Sequence, residues 1–393
     1  MTVLILYIAV ISLLQTYSFN ANAKIQYETP IEARTMQGAA NSGCNYDDIF
    51  TNHKIKITED GLDTTPSISC TIVSLTNNRI NDNLATLFAK KMRYINGIEA
   101  IYLHFNSIGD DGIIAIAKEI KNLKMNLYNL NFRNNNFGSK GAIELARTIQ
   151  AMSRTTYLNV GRNRINNEGM IALSEALKNK KNLAELHVDE NIFNDTAVIH
   201  LVKSLNYINR PKLRKFVLHT KTYDENTCLE IAIFIGQTGK RLEYIDISGV
   251  NITSKCAALL SLAYKKAVSI SSLFMKDTHM DMKSLNIFTN TNFKTLSQLT
   301  VLDVSENFLV EKKGLLKFAT SMMKYTKAKV NIMSFSLGNL FKIVFPTFFG
   351  YDALISSYLL KCTEDPDRDN SMCDELDDMI EMMEEELDKS KEL

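Results

Sequence analysis

The sequence has no tryptophan, five prolines and six cysteines among 393 residues, and these shortages exclude several classes of protein. A collagen-like chain needs far more proline, and so few prolines leave little room for extended linkers. Hydrophobic residues make up 45% of the chain and charged residues 23%, which is typical of a foldable protein and excludes a disordered or multi-spanning membrane chain. The length fits one long repeat domain or two to three ordinary domains.

Catalytic motifs are also missing from the sequence. It contains no phosphate-binding Walker loop, no His-Glu-x-x-His metal motif, no Gly-x-Ser-x-Gly nucleophile elbow and no paired CxxC. The six histidines are dispersed along the chain rather than clustered at the spacing of a metal site. We therefore predict that the protein is not an enzyme, that it holds no cofactor, and that nucleic acid is not its partner.

The N-terminus lacks Lys or Arg but otherwise has the features of an export signal. Residues 3–14 form a short apolar run, and Ala21-Asn22-Ala23 fits the small-x-small pattern of a cleavage site. We predict a signal peptide over residues 1–23, a mature chain that starts at Lys24, and a secreted or extracytoplasmic protein with no stable membrane span. An uncleaved anchor and a wrongly assigned start are the alternatives.

Charge is unevenly divided between the body and the C-terminal tail. Residues 364–393 contain 14 acidic and 3 basic residues, whereas the remainder contains 42 basic and 30 acidic residues. The net charge of +1 therefore combines a tail of −11 with a body of +12. The acidic tail, predicted over residues 362–393, either only keeps the chain solvated or folds back and screens the body from anionic partners.

The six cysteines are compatible with an oxidising compartment. Cys44 with Cys70, and Cys362 with Cys373, are the candidates for disulfides at the two ends of the chain. Cys228 and Cys256 occupy core-type positions of predicted helices, which favours small buried thiols there.

An internal repeat dominates the sequence. Aligned on an asparagine, each unit has an apolar residue, an apolar pair spaced by one, the Asn and a further apolar residue, as in Ile98, Ile101, Leu103, Asn106 and Ile108. From Asn78 to Asn307 there are eight steps over 229 residues, a mean of about 28.6. The predicted ladder asparagines are Asn78, Asn106, Asn135, Asn163, Asn191 and Asn307.

The repeat frame predicts one strand and one helix per unit. Alternation at the apolar pair is the period of a strand, and pairs four apart, such as Leu145 and Ile149, predict a helix that packs on it. The Asn side chain has both a donor and an acceptor, so it can satisfy backbone groups of its own repeat and of its neighbour. Each unit buries its apolar side only by stacking.

The frame resembles leucine-rich repeats of the ribonuclease-inhibitor-like subfamily. The resemblance covers residues 70–328 and implies an α/β solenoid of nine repeats, a horseshoe with a concave parallel β-sheet and convex α-helices. Family members mostly bind proteins. Ribonuclease inhibitor itself is rich in cysteine along the whole array, which this chain is not, so ribonuclease binding is not carried over. Lys221, Val250 and Thr278 replace the Asn in repeats six to eight, which predicts an interrupted ladder.

The segments outside the repeats have their own predictions. Residues 24–69, with a possible strand at 55–57, form an N-terminal cap, and residues 329–361 form a C-terminal cap, with a membrane-binding helix as the alternative for the apolar stretch 341–360. Asp365, Asp367 and Asp369 alternate between Cys362 and Cys373 and resemble the extracellular calcium loop called Excalibur, although Asn370 and Asp374 depart from it. A solvated acidic loop is the alternative.

The binding surface is predicted on strand residues that point away from the helices. Tyr and Arg most often anchor protein interfaces, and both types occur in this set. As partner-binding residues, expected to be exposed, we predict Tyr102, His104, Asn131, Arg133, Tyr157, Asn159, Arg162, His187, Asp189, Lys215, His219, Tyr244, Asp246 and Phe274.

The function predicted from the sequence is an exported, non-catalytic protein that binds a protein partner, with host proteins among the candidates. One alternative is an intracellular regulator, because activating proteins for the small GTPase Ran have the same repeat type and an acidic tail. They supply an arginine from a repeat loop, and Arg79 occupies the analogous place. A calcium-dependent surface adhesin is the other alternative.

Overall fold

The computed structural model describes residues 43–51, 68–206, 212–292, 295–307, 318 and 329–331. The chain divides into two compact units, one spanning residues 39–328 and the other made of residues 1–38 and 329–393. The predicted signal peptide, the strand at 55–57, the pair Cys362 and Cys373 and the acidic loop with Asp365, Asp367 and Asp369 lie outside the described residues.

The unit of residues 39–328 alternates short strands with helices. Its strands are β1 Gly43–Cys44, β2 Ile68–Ser69, β3 Ile72–Ser74, β4 Ile95–Asn96, β5 Ala100–Tyr102, β6 Asn129–Asn131, β7 Tyr157–Asn159, β8 Glu185–His187, β9 Lys215–Val217, β10 Tyr244–Asp246, β11 Ser272–Phe274 and β12 Val301–Asp303. In the other unit, β13 spans Lys329–Asn331.

Helices follow the strands of the first eight repeats. They are α1 Asp82–Lys91, α2 Asp110–Asn122, α3 Ser139–Ala151, α4 Asn167–Leu177, α5 Asp195–Asn206, α6 Glu225–Thr238, α7 Ser254–Tyr264 and α8 Met282–Asn292. A short helical turn, Asp47–Thr51, follows β1, and a 3-10 turn, Met92–Tyr94, follows α1.

Ten of the described strands form one parallel sheet, in the order β1, β3 and then β5 to β12. Equivalent repeat positions pair across it, so that Leu130 is opposite Ile101 on one side and Leu158 on the other. The separate pair β2 and β4 is also parallel. This alternation of parallel strands and helices is an α/β leucine-rich-repeat solenoid, as the sequence predicts.

The core lies between the sheet and the helices and is built from the frame residues. The middle residue of each repeat strand, such as Ile101, Leu130 or Leu158, is fully buried. At the apolar positions of the frame, one described residue departs from the pattern, because Tyr223 is 71% exposed while its neighbour Thr222 is buried. The turn of repeat six has its positive φ at His219, one residue earlier in the frame than Arg162 or Glu190, which shifts the inward position to Thr222.

The asparagine ladder ties consecutive repeats together. Asn106 Oδ1 accepts hydrogen bonds from Asn78 N at 3.0 Å and Ile80 N at 2.9 Å, and Asn106 Nδ2 donates to Leu75 O at 2.8 Å and Leu103 O at 2.9 Å. One amide therefore satisfies backbone groups of two repeats that would otherwise be buried without partners. Asn135, Asn191 and Asn307 make similar bonds, whereas Asn163 makes only the donor bonds, because its Oδ1 has no hydrogen-bond partner among the described residues.

The ladder changes in repeats six to eight, where the Asn is replaced. Lys221 directs its Nζ to Asp277 at 3.4 Å with an exposed side chain, and Val250 is fully buried with no polar group to offer. Thr278 Oγ1 lies 3.1 Å from Met275 O and 2.9 Å from Asn307 Oδ1, so its single hydrogen makes at most one of the bonds that an amide makes. At the ladder position, side chains therefore contribute fewer hydrogen bonds in repeats six to eight than in repeats one to five.

A second ladder, not predicted from the sequence, runs along the helix N-termini. Asp82 Oδ1 accepts from Gly109 N at 2.7 Å and Gly112 N at 2.9 Å, so the first residue of α1 caps the start of α2. Asp110 does the same for α3. Gly112 lies in the first turn of α2, where a Cβ would be 2.7 Å from Asp82 Oδ1. This close approach explains the glycine at that position.

Two disulfides lie in the described residues. Cys44 bonds to Cys70, the pair named from the sequence, and joins β1 to the segment before β3. Cys228 of α6 bonds to Cys256 of α7, which corrects the prediction of two buried thiols. Both sulfurs are buried, as predicted, but their separation of 28 residues is one repeat, so stacking brings equivalent positions of neighbouring helices together.

Candidate partner-binding face

The candidate site is the side of the main sheet turned away from the helices, which we call the open face. Because side chains alternate along a strand, the first and third residues of each three-residue strand point to this side when the middle one points to the helices. In β7 these residues are Tyr157 and Asn159, and in β8 they are Glu185 and His187. The open face therefore carries two side chains per repeat.

The turns that end the strands extend this face. The residue before the ladder position has a left-handed φ in several repeats, including Arg162 at 55° and Glu190 at 50°. This conformation costs energy in residues with a Cβ and is held here by the ladder bonds of the following Asn. The left-handed backbone places the exposed, charged side chains of Arg162 and Glu190 at the border of the open face.

Burial divides the predicted contact residues into two groups, which differs from the exposure expected from the sequence. Wide polar and aromatic side chains on strands only ~4.8 Å apart cover one another, and this accounts for much of the low exposure. Arg162 is exposed, and His104, Arg133, Lys215, His219, Tyr244 and Phe274 are half-buried. Those below 9% exposure are Tyr102, Asn131, Tyr157, Asn159, His187, Asp189 and Asp246.

An ion pair that spans two repeats lies at the centre of the open face. Arg133 Nη1 is 2.7 Å from Asp189 Oδ2, although 56 residues separate the two in sequence. Between them lies Gly161, where a Cβ would be 2.5 Å from both Arg133 Nη1 and Asp189 Oδ1. Glycine at this position of repeat four therefore leaves the space in which Arg133 of repeat three reaches Asp189 of repeat five.

Glu190 connects this ion pair to the border of the face. Arg162 Nη2 lies 2.8 Å from Glu190 Oε1, and Arg133 Nη2 lies 3.9 Å from the same oxygen. Because Asp189 is buried and Glu190 is 40% exposed at its side chain, the cluster presents both guanidinium groups in fixed positions. Glu190 and Gly161 were missed from the sequence, because neither follows the strand alternation used to choose contact residues.

A hydrogen-bonded row of tyrosines and asparagines lies beside the cluster. Asn129 Nδ2 donates to Tyr102 Oη at 3.0 Å, and Asn159 Nδ2 donates to Tyr157 Oη at 3.2 Å. The Tyr157 ring also packs against His187, with centroids 5.6 Å apart. Asn129 was missed, although its first position on β6 matches that of Tyr157 on β7 and could have identified it.

His187 and Glu185 are buried together. The pKa of His187 is lowered to about 3, mainly by burial and also by the charges of Lys215 and Arg133, while Asp189 acts in the opposite direction. Burial raises the pKa of Glu185, against the opposing effect of Lys215 and Arg214. His187 Nε2 and Glu185 Oε2 are 3.8 Å apart, and within the described part of the chain neither of these two atoms has a hydrogen-bond partner.

Aromatic stacking continues the face into repeats six to eight. Lys215 Nζ lies 4.2 Å from the Tyr244 ring centroid, and the Tyr244 ring stacks on Phe274 at 5.0 Å. Next to them, burial raises the pKa of Asp246, opposed by the charge of His219 and by a hydrogen bond from Ser248 N. This part of the face combines a cation with two partly accessible rings, which suits binding of a protein surface.

The described residues offer neither a metal-binding cluster nor a membrane-spanning helix. In the described ranges, His, Cys, Asp and Glu side chains form no group of three or more that could hold a metal ion. Over the same residues, every helix is too short or too polar to cross a membrane.

Comparison with known proteins is consistent with this geometry. The family model described as Leucine Rich repeat matches residues 98–117, 124–146 and 156–174. No curated protein matches the chain. Similar solved structures include a chain of the Rad7 and Elc1 complex from yeast, with 14% identity and a TM-score of 0.35 over 62% of this chain and 71% of that one.

An internalin, InlF, from Listeria monocytogenes is also similar, with 11% identity and a TM-score of 0.25 over 66% of this chain and 86% of that one. Both likenesses are too distant to bear on function. The repeats, the sheet and the family match over part of the array define the fold as a leucine-rich-repeat solenoid, and such repeats imply a scaffold for protein interaction. The comparisons indicate no catalytic family.

Proposed function

We propose that this protein is an exported member of the ribonuclease-inhibitor-like subfamily that binds a protein partner through the open face, without catalysis. The open face corresponds to the concave face of the predicted horseshoe, and host proteins are among the candidate partners. The observation that carries the proposal is the pair of arginines, Arg133 and Arg162, fixed by Asp189 and Glu190.

Preorganisation is the physical reason why this arrangement favours binding. An arginine that is already held in one conformation loses less side-chain entropy when a partner contacts it. The stacked Tyr244 and Phe274 rings offer apolar area with few rotatable bonds. The buried residues of the face, such as Asp189 and Tyr157, are proposed to position the accessible ones rather than to contact the partner.

Repeat dimensions support the subfamily. Successive repeats are 28 to 30 residues apart in the strand register, as in Tyr157 with Glu185 and Glu185 with Lys215. Their helices are long, with 13 residues in α2 and 14 in α6. Both features match the long repeats with full helices that the resemblance implies.

Export is supported by the two disulfides, because such bonds persist mainly in oxidising compartments. The test is sequencing of the N-terminus of the protein purified from its native cell. We expect a mature chain that begins at Lys24. A chain that retains Met1 in the cytosol contradicts export and favours the GTPase-regulator interpretation, in which the exposed Arg79 is the residue to test.

Binding by the open face is tested with the variant Arg162→Ala/Tyr244→Ala. These residues are chosen because Arg133→Ala would leave Asp189 buried without its cation and would disturb the fold. The partner is captured from extracellular fluid or host-cell surfaces, identified by mass spectrometry, and titrated with purified proteins. We expect affinity to fall at least about tenfold, as for truncation of interface anchors.

The matched control is Arg147→Ala/Leu262→Ala, which removes one exposed arginine and one exposed apolar residue from helices α3 and α7. It should bind as tightly as the unmodified protein. Equal loss in both variants, or no loss in the open-face variant while circular dichroism is unchanged, would show that the partner binds elsewhere.

A further inference from the structure

Basic residues are concentrated on one edge of the repeat array. The segments that lead from each helix to the next strand, from 92–99 to 265–271, contain twelve Lys or Arg and two acidic residues within the described part of the chain. The strand-to-helix turns on the opposite edge contain similar numbers of both signs. We call the helix-to-strand side the basic edge.

The basic residues cluster most densely where repeats six to eight follow one another. Six exposed cations lie there, namely Lys212, Arg214, Lys240, Arg241, Lys265 and Lys266. Four of them line a shallow groove of about 320 Å³ together with Glu243 and Ser269. The groove is open to solvent on the basic edge, and its lining includes no residue of the open face, although Arg214 and Glu243 directly precede Lys215 and Tyr244 in the chain.

Internal ion pairing neutralises little of this charge. Arg214 makes a two-point contact with Glu243, in which Nε to Oε1 and Nη2 to Oε2 are both 2.9 Å. Lys212 Nζ donates to Asn182 Oδ1 at 3.0 Å, a neutral partner. Among the described ion pairs, none involves Lys240, Arg241, Lys265 or Lys266. The cluster therefore keeps a net charge that an anion can neutralise.

Stabilisation of helix ends does not account for the whole cluster. A cation near a helix C-terminus contributes about 0.3–1 kcal/mol, and the effect falls off within one turn. Lys265 and Lys266 fit that role at the end of α7. Lys212 and Arg214, however, directly precede β9, and Lys212 contacts the segment before β8 rather than a helix end.

We propose that the basic edge of repeats six to eight binds a sulfated polysaccharide of the heparin type. The segments that carry these cations lead into neighbouring strands, which are roughly 4.8 Å apart, and such a repeated arrangement suits a linear chain with regularly repeated anionic groups. Apart from Ser269 and Glu243, the groove is lined by cations and has no aromatic ring for stacking bases or anchoring a protein. The ligand is extracellular, so this proposal rests on export in the proposed function.

The test is isothermal titration of the full-length mature protein with a size-defined heparin oligosaccharide. The variant is Lys240→Glu/Arg241→Glu, and the control is Lys140→Glu/Arg164→Glu, which changes the net charge equally on the opposite edge, where both side chains are exposed. We expect the first variant to bind at least about tenfold more weakly, because each reversal replaces an attraction by a repulsion. The control should bind within about threefold of the unmodified protein, with affinity falling as salt rises.

Three outcomes would overturn the proposal: no binding by the unmodified protein, equal weakening in both variants, or equally tight binding of a polyglutamate peptide. The last result would assign the edge to an acidic protein instead. The open-face variant Arg162→Ala/Tyr244→Ala should keep its heparin affinity, and Lys240→Glu/Arg241→Glu should keep its affinity for the protein partner. Failure of the polysaccharide site is thereby distinguished from failure of the open-face proposal.

Discussion

Asn135 illustrates how a single side chain holds two repeats together. Its Oδ1 accepts from Ile108 N at 3.0 Å, and its Nδ2 donates to Leu103 O at 2.9 Å and Phe132 O at 3.0 Å. The next residue, Asn136, is an exposed asparagine whose side chain makes no hydrogen bond within the described residues. The two neighbours differ mainly in the ladder, so they form a matched pair for measuring it.

We predict that Asn135→Ala lowers the free energy of unfolding by about 2–4 kcal/mol, because it leaves several buried backbone groups without partners. Asn136→Ala should change it by less than about 0.5 kcal/mol, as surface substitutions do. Urea denaturation followed by circular dichroism measures both. Similar losses in the two variants would mean that the ladder bonds contribute little net stability.

Gly161 is the residue that permits the ion pair at the centre of the open face. We predict that Gly161→Ala separates Arg133 from Asp189 and destabilises the protein by about 3 kcal/mol, because it leaves a buried carboxylate without its cation. Gly236→Ala in α6 is the control, since its Cβ would have no atom nearer than 3.8 Å and alanine favours helix. Thermal unfolding that ranks the two variants equally would contradict this role.

At the scale of single residues, the sequence identified the ladder better than the site. Asn106 and Asn135 stand out because asparagine recurs at one position of the repeat frame. Its side chain has both a donor and an acceptor, so it can bond to the backbone of two repeats. Burial of Tyr157 or His187 could not be predicted in the same way. It depends on how closely the side chains of neighbouring strands cover one another, and strand alternation contains no information about that.

Between elements, the disulfide of Cys228 and Cys256 joins α6 to α7 in the repeats where Lys221 and Val250 interrupt the ladder. The covalent bond on the helical side therefore coincides with the loss of amide bonds on the turn side. The signal for this pairing was present in the sequence, because a separation equal to one repeat places two helical cysteines side by side. Because both cysteines occupy core-type positions of the predicted helices, the sequence favoured two buried free thiols instead.

We predict that Cys228→Ala/Cys256→Ala lowers stability by about 3 kcal/mol, as expected for opening a loop of this size. Because contacts in a repeat array are mostly between neighbours, amide hydrogen exchange should accelerate in α6 and α7 and much less in α2 to α4. Cys44→Ala/Cys70→Ala is the control, since it opens a loop of 26 residues at the other end. Uniform acceleration across all repeats would refute a local role.

At the scale of the whole molecule, the open face collects buried titratable groups, and stability should therefore depend on pH. Burial lowers the pKa of His187 to about 3 and that of His104 to about 4, so the unfolded chain binds protons at higher pH than the folded one. Stability contributed by these histidines is complete above their unfolded pKa, about 6.5, and decreases as pH falls below it. Glu185 and Asp246 act in the opposite sense, because burial raises their pKa.

We predict that replacing His187 by Gln removes one of these contributions. Between pH 7 and pH 5 the unmodified protein should lose about 2 kcal/mol more unfolding free energy than His187→Gln, since one proton is taken up on unfolding over about 1.5 pH units. Leu262→Gln, at an exposed position of helix α7, is the control, because it removes no titratable group and should keep the wild-type pH dependence. Urea titrations at several pH values measure the slopes. Parallel curves of unfolding free energy against pH for the unmodified protein and His187→Gln would contradict the burial of a neutral His187. The open face would then be more accessible to solvent than its packing indicates.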